Sequence, residues 1–365
     1  MPILFTLMLV LMFIPIVASL AFMPYLTRET VSFGISVSEE TFRSEQLRRM
    51  RKQYATISLV IYIPLLFAGL YASMQSNTAL QGTLLGVVIS LIAVISIALN
   101  ILFHFKMKKI KASLPAAAKG KTVLAVDTSF HRQKLVLSNK WFFIHVGLTL
   151  ASTAAALFNY DRFPEQIALK FDMQGNVINS AAKSYTTVLF PNIMQLLIIA
   201  IFIFVNWSIL RSKQQLSAGD PERSVRQNAV FRRRWSMFTV LSGLAMVSLF
   251  SFIQLNMIYQ LESSIMMLVS LLIPIFVVLF AVALSFTTGQ GGSRVARSET
   301  GSPVQPVNDD AQWKLGFIYY NPNDPSFFVE KRFGIGWTLN FAHPMVWLIL
   351  LGIIIVIALP AFLGQ

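Results

Sequence analysis

Side chains capable of covalent or metal chemistry are scarce in this chain. It has no cysteine, which excludes disulfides, thiolate chemistry and cysteine metal sites. It has four histidines, and no HExxH, P-loop or GxSxG pattern. No catalytic residue, metal or cofactor is therefore expected, and an enzyme is the least supported class. The informative polar residues are those inside apolar runs: Asn100, His145, Asn159, Asn192, Gln195, Asn206, Gln254 and Asn256. Such residues either line a pocket or pathway or hydrogen-bond between helices, at about 0.6–2 kcal/mol each. Bonding between helices is the preferred reading for any one of them. Asn192 and Gln195 lie one helical turn apart just after Pro191, and Gln254 and Asn256 stand close together in the following run. A polar pocket, where the fold makes one, is expected from these four, toward the outer half of the bundle. His145 reads as a packing residue, because no carboxylate falls inside any apolar run to partner it. That absence also argues against proton- or sodium-coupled transport, which calls on intramembrane acids.

The elements that must carry these residues are apolar and long. Hydrophobic residues make up 55% of the 365, and charged residues only 13%, against about 25% in soluble domains. A span needs roughly 20 mainly apolar residues. Eight runs qualify: about 3–24, 57–73, 80–105, 141–160, 186–210, 237–259, 265–286 and 346–364. The expected fold class is an all-α transmembrane helical bundle of about eight spans, with a small cytoplasmic β-meander before the last. Every charged residue falls between runs, as the cost of about 2.5–3.5 kcal/mol for a charge at a span centre requires. The net charge is +14, and all but three of the 30 lysines and arginines lie in alternate connections. The exceptions, Arg162, Lys170 and Lys183, share one loop. The positive-inside rule makes the basic connections cytoplasmic, so a multi-pass cell-membrane protein with both termini outside the cytoplasm is expected. The first run lacks a basic flank and a clear cleavage site, so an uncleaved anchor is expected over residues 1–25.

The connections read as follows. Residues 26–140 hold basic segments flanking the second and third spans. Ser38 caps a helix running from there to Tyr54 and into the second span, with Glu39 and Glu40 in its first turn and Arg48, Arg49, Arg51 and Lys52 in its last. Residues 141–210 form a unit around an outer loop, 161–185, whose acids Asp161, Glu165 and Asp172 read as solvated. Residues 211–286 hold a basic loop with Arg232, Arg233 and Arg234, then the sixth and seventh spans. Residues 287–312 are rich in Gly, Ser, Pro, Asn and Asp and read as a flexible linker. Residues 313–345 alternate aromatic and β-branched types, with a tight turn at Asn321–Pro325 and a bend at Gly334 and Gly336. They are expected to form the β-meander, and 346–365 the last span. The basic clusters abut the spans and read as setting topology and attracting anionic lipid at the cytoplasmic face; no nucleic-acid motif accompanies them.

Two stretches resemble known families. In residues 163–184, Pro164, Ile167, Phe171, Gly175 and Lys183 match the loop pattern of a bacterial membrane domain of unknown function, number 1648, with Ala168, Lys170 and Asn179 replacing a proline, a histidine and an aspartate. That domain also occurs in immunity proteins against a sporulation-delaying toxin, where the immunity protein also resembles a signal transducer that holds a repressor at the membrane. In residues 313–344, Tyr319, Tyr320, Asn321, Pro322, Asp324, Pro325, Phe328, Val329, Lys331, Arg332, Gly334, Gly336, Trp337, Asn340 and Phe341 are similar to a second family of unknown function, number 5808. Together the resemblances imply a Gram-positive cell-membrane protein and no established activity.

The leading expectation is a non-enzymatic envelope protein of immunity or sensing. Its outer loop would meet an external peptide or lipid, and its inner module a cytoplasmic protein partner. A transporter or flippase of a lipid or small amphiphile is the first alternative, and it needs a cavity at Asn192, Gln195, Gln254 and Asn256. A structural subunit of a membrane complex is the second.

Overall fold

A chain solvated by hydrocarbon must satisfy its backbone internally, and the apolar runs accordingly form helices. The structure, a computed structural model, describes residues 2–75, 78–114, 134–171, 177–214, 221–295 and 309–363. The chain begins with α1 (Pro2–Ala21), the short α2 (Met23–Leu26) and α3 (Glu39–Arg43). Then come α4 (Glu45–Gln75), α5 (Thr78–Ser113), α6 (Phe142–Phe158), α7 (Tyr185–Arg211), α8 (Pro221–Tyr259) and α9 (Ser263–Thr288), and α10 (Pro344–Leu363) ends the described chain. Among the described residues six helices, α4 to α9, are long and apolar enough to cross a membrane. Helices α1, α4, α7 and α9 each continue through an internal proline. Leu150, Leu196, Leu197 and Phe276 are exposed on the outside of the bundle, a surface too apolar for water to cover without cost.

Helix α1 packs on α4 and α9, and α4 on α5; α6, α7 and α8 pack on one another, and α9 joins the two groups by touching both α1 and α8. Several helices outrun their apolar cores. Helix α5 carries Lys106, Lys108, Lys109 and Lys111 in its last turns. The expected basic loop at 211–236 is largely helix, because α8 starts at Pro221 and takes in Arg232, Arg233 and Arg234. Lysine and arginine are good helix formers, so the helix does not stop where the apolar run does. Lys119, Lys121, Arg132, Asp172, Gly175 and the linker residues 296–308 lie outside the described residues.

Four further expectations are revised. Ser38 does cap a helix, its Oγ accepting from Thr41 N, but α3 breaks at Ser44 in extended backbone before α4 begins. The 161–185 loop contains an antiparallel hairpin. Among the described residues, β1 (Val31–Ser32) pairs with β2 (Ile35–Ser36), and β3 (Gln166–Phe171) with β4 (Val177–Ala182). In place of one continuous meander, residues 313–339 form two separate hairpins, β5 (Trp313–Lys314) with β6 (Ile318–Tyr319) and β7 (Phe328–Glu330) with β8 (Trp337–Leu339). The Asn321–Pro325 stretch turns between these hairpins, and an isolated bridge from Tyr319 to Asn340 ties them together. The two prolines and the paired side-chain turns of Asn321 and Asp324 keep this stretch out of any ladder. The front of the expected linker is also ordered: Gln290, Gly291 and Gly292 form a buried single turn.

One contact fixes how these hairpins meet. Phe33 and Gly34, the two-residue turn between β1 and β2, both have positive φ (48° and 78°), as a type I′ hairpin turn requires. A Cβ on Gly34 would lie 2.4 Å from Gly316 Cα, so the turn after β5 packs backbone on backbone against it. The bulky Phe33 pays a conformational penalty on the order of 1 kcal/mol. Its ring is buried against Tyr54, Phe103 and Phe333, at centroid distances of 5.6, 5.2 and 5.9 Å.

Candidate functional site

The basic end of the bundle is stitched by the 309–340 segment. Glu330, on β7, is fully buried. Arg28, just after α2, reaches one of its oxygens, and Arg232 of α8 lies 3.6 Å from the other. Arg232 is also fully buried, and it donates to Ile209 O at 2.7 Å, Ser212 O at 3.0 Å and Asn228 Oδ1 at 3.0 Å. These acceptors are the last carbonyls of α7 and a side chain one turn back on α8, so one guanidinium locks two helix ends to β7. A buried charge is tolerable only with partners of this kind.

Arg332 makes a second knot. It ion-pairs with Asp309 and Asp310 and donates to Gly34 O at 3.0 Å and Ser36 Oγ at 2.6 Å. Lys111, at the end of α5, meets Asp310 at 2.6 Å. Burial by itself would raise the Asp310 carboxyl, but the Arg332 charge and the Lys111 hydrogen bond overcome it and hold the group at about 2. A third knot surrounds Asp324. Lys213, just past α7, and the Tyr319 hydroxyl both donate to it at 2.7 Å. Burial again pushes upward, and the Lys213 and Tyr319 hydrogen bonds bring Asp324 to about 2. Tyr319 is shifted the other way, its hydroxyl raised by burial and by the carboxylate it serves. At the end of α9, Gln290 donates to Lys331 O and Gly336 O and accepts from Gly336 N.

The expected motif residues divide by role. Asp324, Arg332, Tyr319 and Asn340 hold the knots, with Asn340 Nδ2 donating to Asn321 O and Asp324 O at 2.9 and 3.0 Å. Asn321, Pro322 and Pro325 shape the turn, and Tyr320 is exposed. Trp337 packs on Phe231 of α8 at 5.0 Å. Lys331 is half-buried, its ammonium lowered by burial. Asp309, Asp310 and Glu330 were not singled out in the sequence. The available signal was that Asp309, Asp310, Asp324 and Glu330 all fall within 22 residues beside the patterned 313–344 stretch. Four of the basic residues read as topology or lipid contacts, Arg28, Lys111, Lys213 and Arg232, also pair with carboxylates.

At the opposite end stands the β3–β4 hairpin. Ile167 is buried with Ala156, Phe163, Val188 and Ile258, which seats the hairpin on α6, α7 and α8. Lys183 ion-pairs with Glu165 at 3.6 Å and lies 5.1 Å from the Tyr160 ring centroid. Pro164 is half-buried and Phe171 exposed. Between the two ends, Asn192, Gln195 and Gln254 come together. Asn192 Nδ2 donates to Gln195 Oε1 at 3.0 Å and to Gln254 Oε1 and Ser152 Oγ at 3.2 Å; Gln195 Nε2 reaches Ser251 Oγ at 2.8 Å, and Gln254 Nε2 reaches Val188 O at 3.1 Å. All three amides are buried, and they satisfy one another across α6, α7 and α8. Asn256 stands apart, half-buried, with no partner on its Oδ1. His145 is buried and meets Val240 O at 3.0 Å, as a packing residue would.

Residues 322–347 match a family of unknown function (DUF5808) and residues 147–194 a domain of unknown function (DUF1648). The first match covers β7, β8 and the start of α10, leaving Tyr319, Tyr320 and Asn321 just before it; the second runs from within α6 through the hairpin into α7. No curated protein and no solved structure matches the chain.

Proposed function

We propose that this is a non-enzymatic integral protein of the bacterial cell membrane that senses, or gives immunity to, a membrane-active peptide or an envelope lipid. In this reading α1 and α10 complete eight spans, the basic end faces the cytoplasm, both termini lie outside, and the β3–β4 hairpin meets the external ligand. The observation that carries it is the continuity of α7. This helix starts at the hairpin, where Ser184 caps it, and ends where Lys213 pairs with Asp324 and donates through its backbone to Phe328 O at 2.8 Å. Its 27 residues make a continuous helix of about 40 Å, joining an external feature to an internal one. A change in hairpin position therefore has a mechanical route to the surface where a cytoplasmic protein would dock. The transporter reading has less support, because three of the four amides it calls on, Asn192, Gln195 and Gln254, are bonded to one another.

The test compares cells carrying the intact gene, no gene, and a gene with residues 166–182 replaced by a glycine-serine linker. Challenge with a panel of membrane-active peptides should show the last two equally sensitized. Identical survival of all three strains across the panel would overturn the proposal.

A further inference from the structure

A cleft of about 440 Å³ opens beside the basic end, lined by Tyr25, Thr27, Glu29, Phe42, Arg51, Ser293 and Arg294. Its most unusual wall is Arg51 of α4, which is only 6% exposed. Its guanidinium lies 4.0 Å from the Phe42 ring centroid and 5.9 Å from that of Tyr25. One of its donors goes to Phe42 O at 2.9 Å. Unlike Arg28, Arg232 and Arg332, it has no carboxylate within ion-pairing distance among the described residues. A guanidinium carries five N–H donors, and this nearly buried cation has one hydrogen bond, two aromatic faces and only the longer-range charge of Glu29 beside it, less than the close pairing that burial calls for. Glu29, the acid of the cleft, is engaged by Arg43 at 2.9 Å. Arg294 on the rim adds a second positive charge, held by Phe286 O and Tyr25 O, and Ser293 adds a hydroxyl, whereas the Thr27 hydroxyl donates to Pro24 O at 3.0 Å.

The depth of the cleft narrows the ligand. Arg51 lies six residues before Ile57, where the apolar run of α4 begins, or roughly 9 Å along the helix axis. That is the level of phospholipid headgroups when α4 crosses a bilayer. We infer that this cleft is a phosphate-binding site, with Arg51 as its principal ligand, and that it holds the phosphodiester of an anionic phospholipid. Arginine presents the planar fork that phosphate oxygens accept, and Tyr25 and Phe42 are suited to the interface beside it. The inference stands independently of the sensing proposal, since it needs only that α4 spans a membrane.

The experiment uses the full-length protein in detergent, titrated with phosphatidylglycerol, phosphatidylcholine or inorganic phosphate and read by native mass spectrometry. Retention of phosphatidylglycerol over phosphatidylcholine is expected, falling about tenfold in Arg51→Gln and less in Arg294→Gln. Arg48→Gln, an exposed neighbour on the same helix, should leave retention unchanged. Melting temperatures report whether each variant is folded; if Arg51→Gln is not, Arg51→Lys, which keeps the charge and loses the fork, takes its place. Binding of inorganic phosphate that depends on Arg51, without lipid retention, would keep the phosphate site and overturn the lipid as its source. Equal retention by the wild type and the Arg51 variant, or no binding of either probe, would overturn the site.

Discussion

Glu330 illustrates how much one side chain can hold in a membrane protein. Two arginines from segments about 200 residues apart in sequence converge on it, and neither Glu330 nor Arg232 touches solvent. Glu330→Gln should therefore cost about 3–5 kcal/mol, the typical loss when a buried pair is broken from one side. The expected readout is a clear fall in melting temperature in detergent, where an exposed change such as Arg49→Gln moves it little. The same residues set the acid response. Asp310 and Asp324 have folded pKa values near 2, below the ordinary 3.8. A depressed carboxylate contributes stability that is complete above its unfolded pKa and is lost as pH falls through the folded one. Melting temperature should thus begin to fall near pH 4 and continue to about pH 2, and Asp310→Asn should remove part of that slope.

Helix α7 unites a hairpin, a polar network and an ion knot along one rod. Its midsection depends on Asn192, whose amide bonds to three other side chains of the network at once. Asn192→Ala strands the amides of Gln195 and Gln254 and should cost about 1–3 kcal/mol. Asn256→Ala, in the next helix but outside the network, should stay within about 0.5 kcal/mol of wild type. Thermal unfolding of the two variants side by side checks this, and equal losses would mean the network is not the source of the packing. The pairing of Asn192 with Gln195 was readable as two amides one turn apart. That Gln254 joins them and Asn256 does not depends on the rotation of α8 against α7, which no local spacing encodes.

At the level of the molecule, the absence of cysteine is an experimental advantage. Single cysteines at Lys108, Glu165 and Arg233, all exposed positions, can be labelled without background. If the basic end faces the cytoplasm, a membrane-impermeant maleimide should label Glu165→Cys in whole cells and leave Lys108→Cys and Arg233→Cys untouched until the cells are opened. Labelling of Lys108→Cys and Arg233→Cys in intact cells would invert the topology and, with it, the proposed roles of hairpin and module.

Membrane character, the positions of the long helices and the two family-like stretches were legible from the chain alone. Solvation by lipid is decided run by run: twenty apolar residues must become a helix whatever surrounds them, and local motifs survive in any fold. The same reading placed the basic residues on one side but took them as topology signals. Only the tertiary structure showed that Arg28, Lys111, Lys213 and Arg232 bind the acids of one small β-rich module, and that Arg51 has no acid within ion-pairing distance among the described residues. Ion pairing is a relation between distant positions, 302 residues apart for Arg28 and Glu330, and it exists only once the helices have packed.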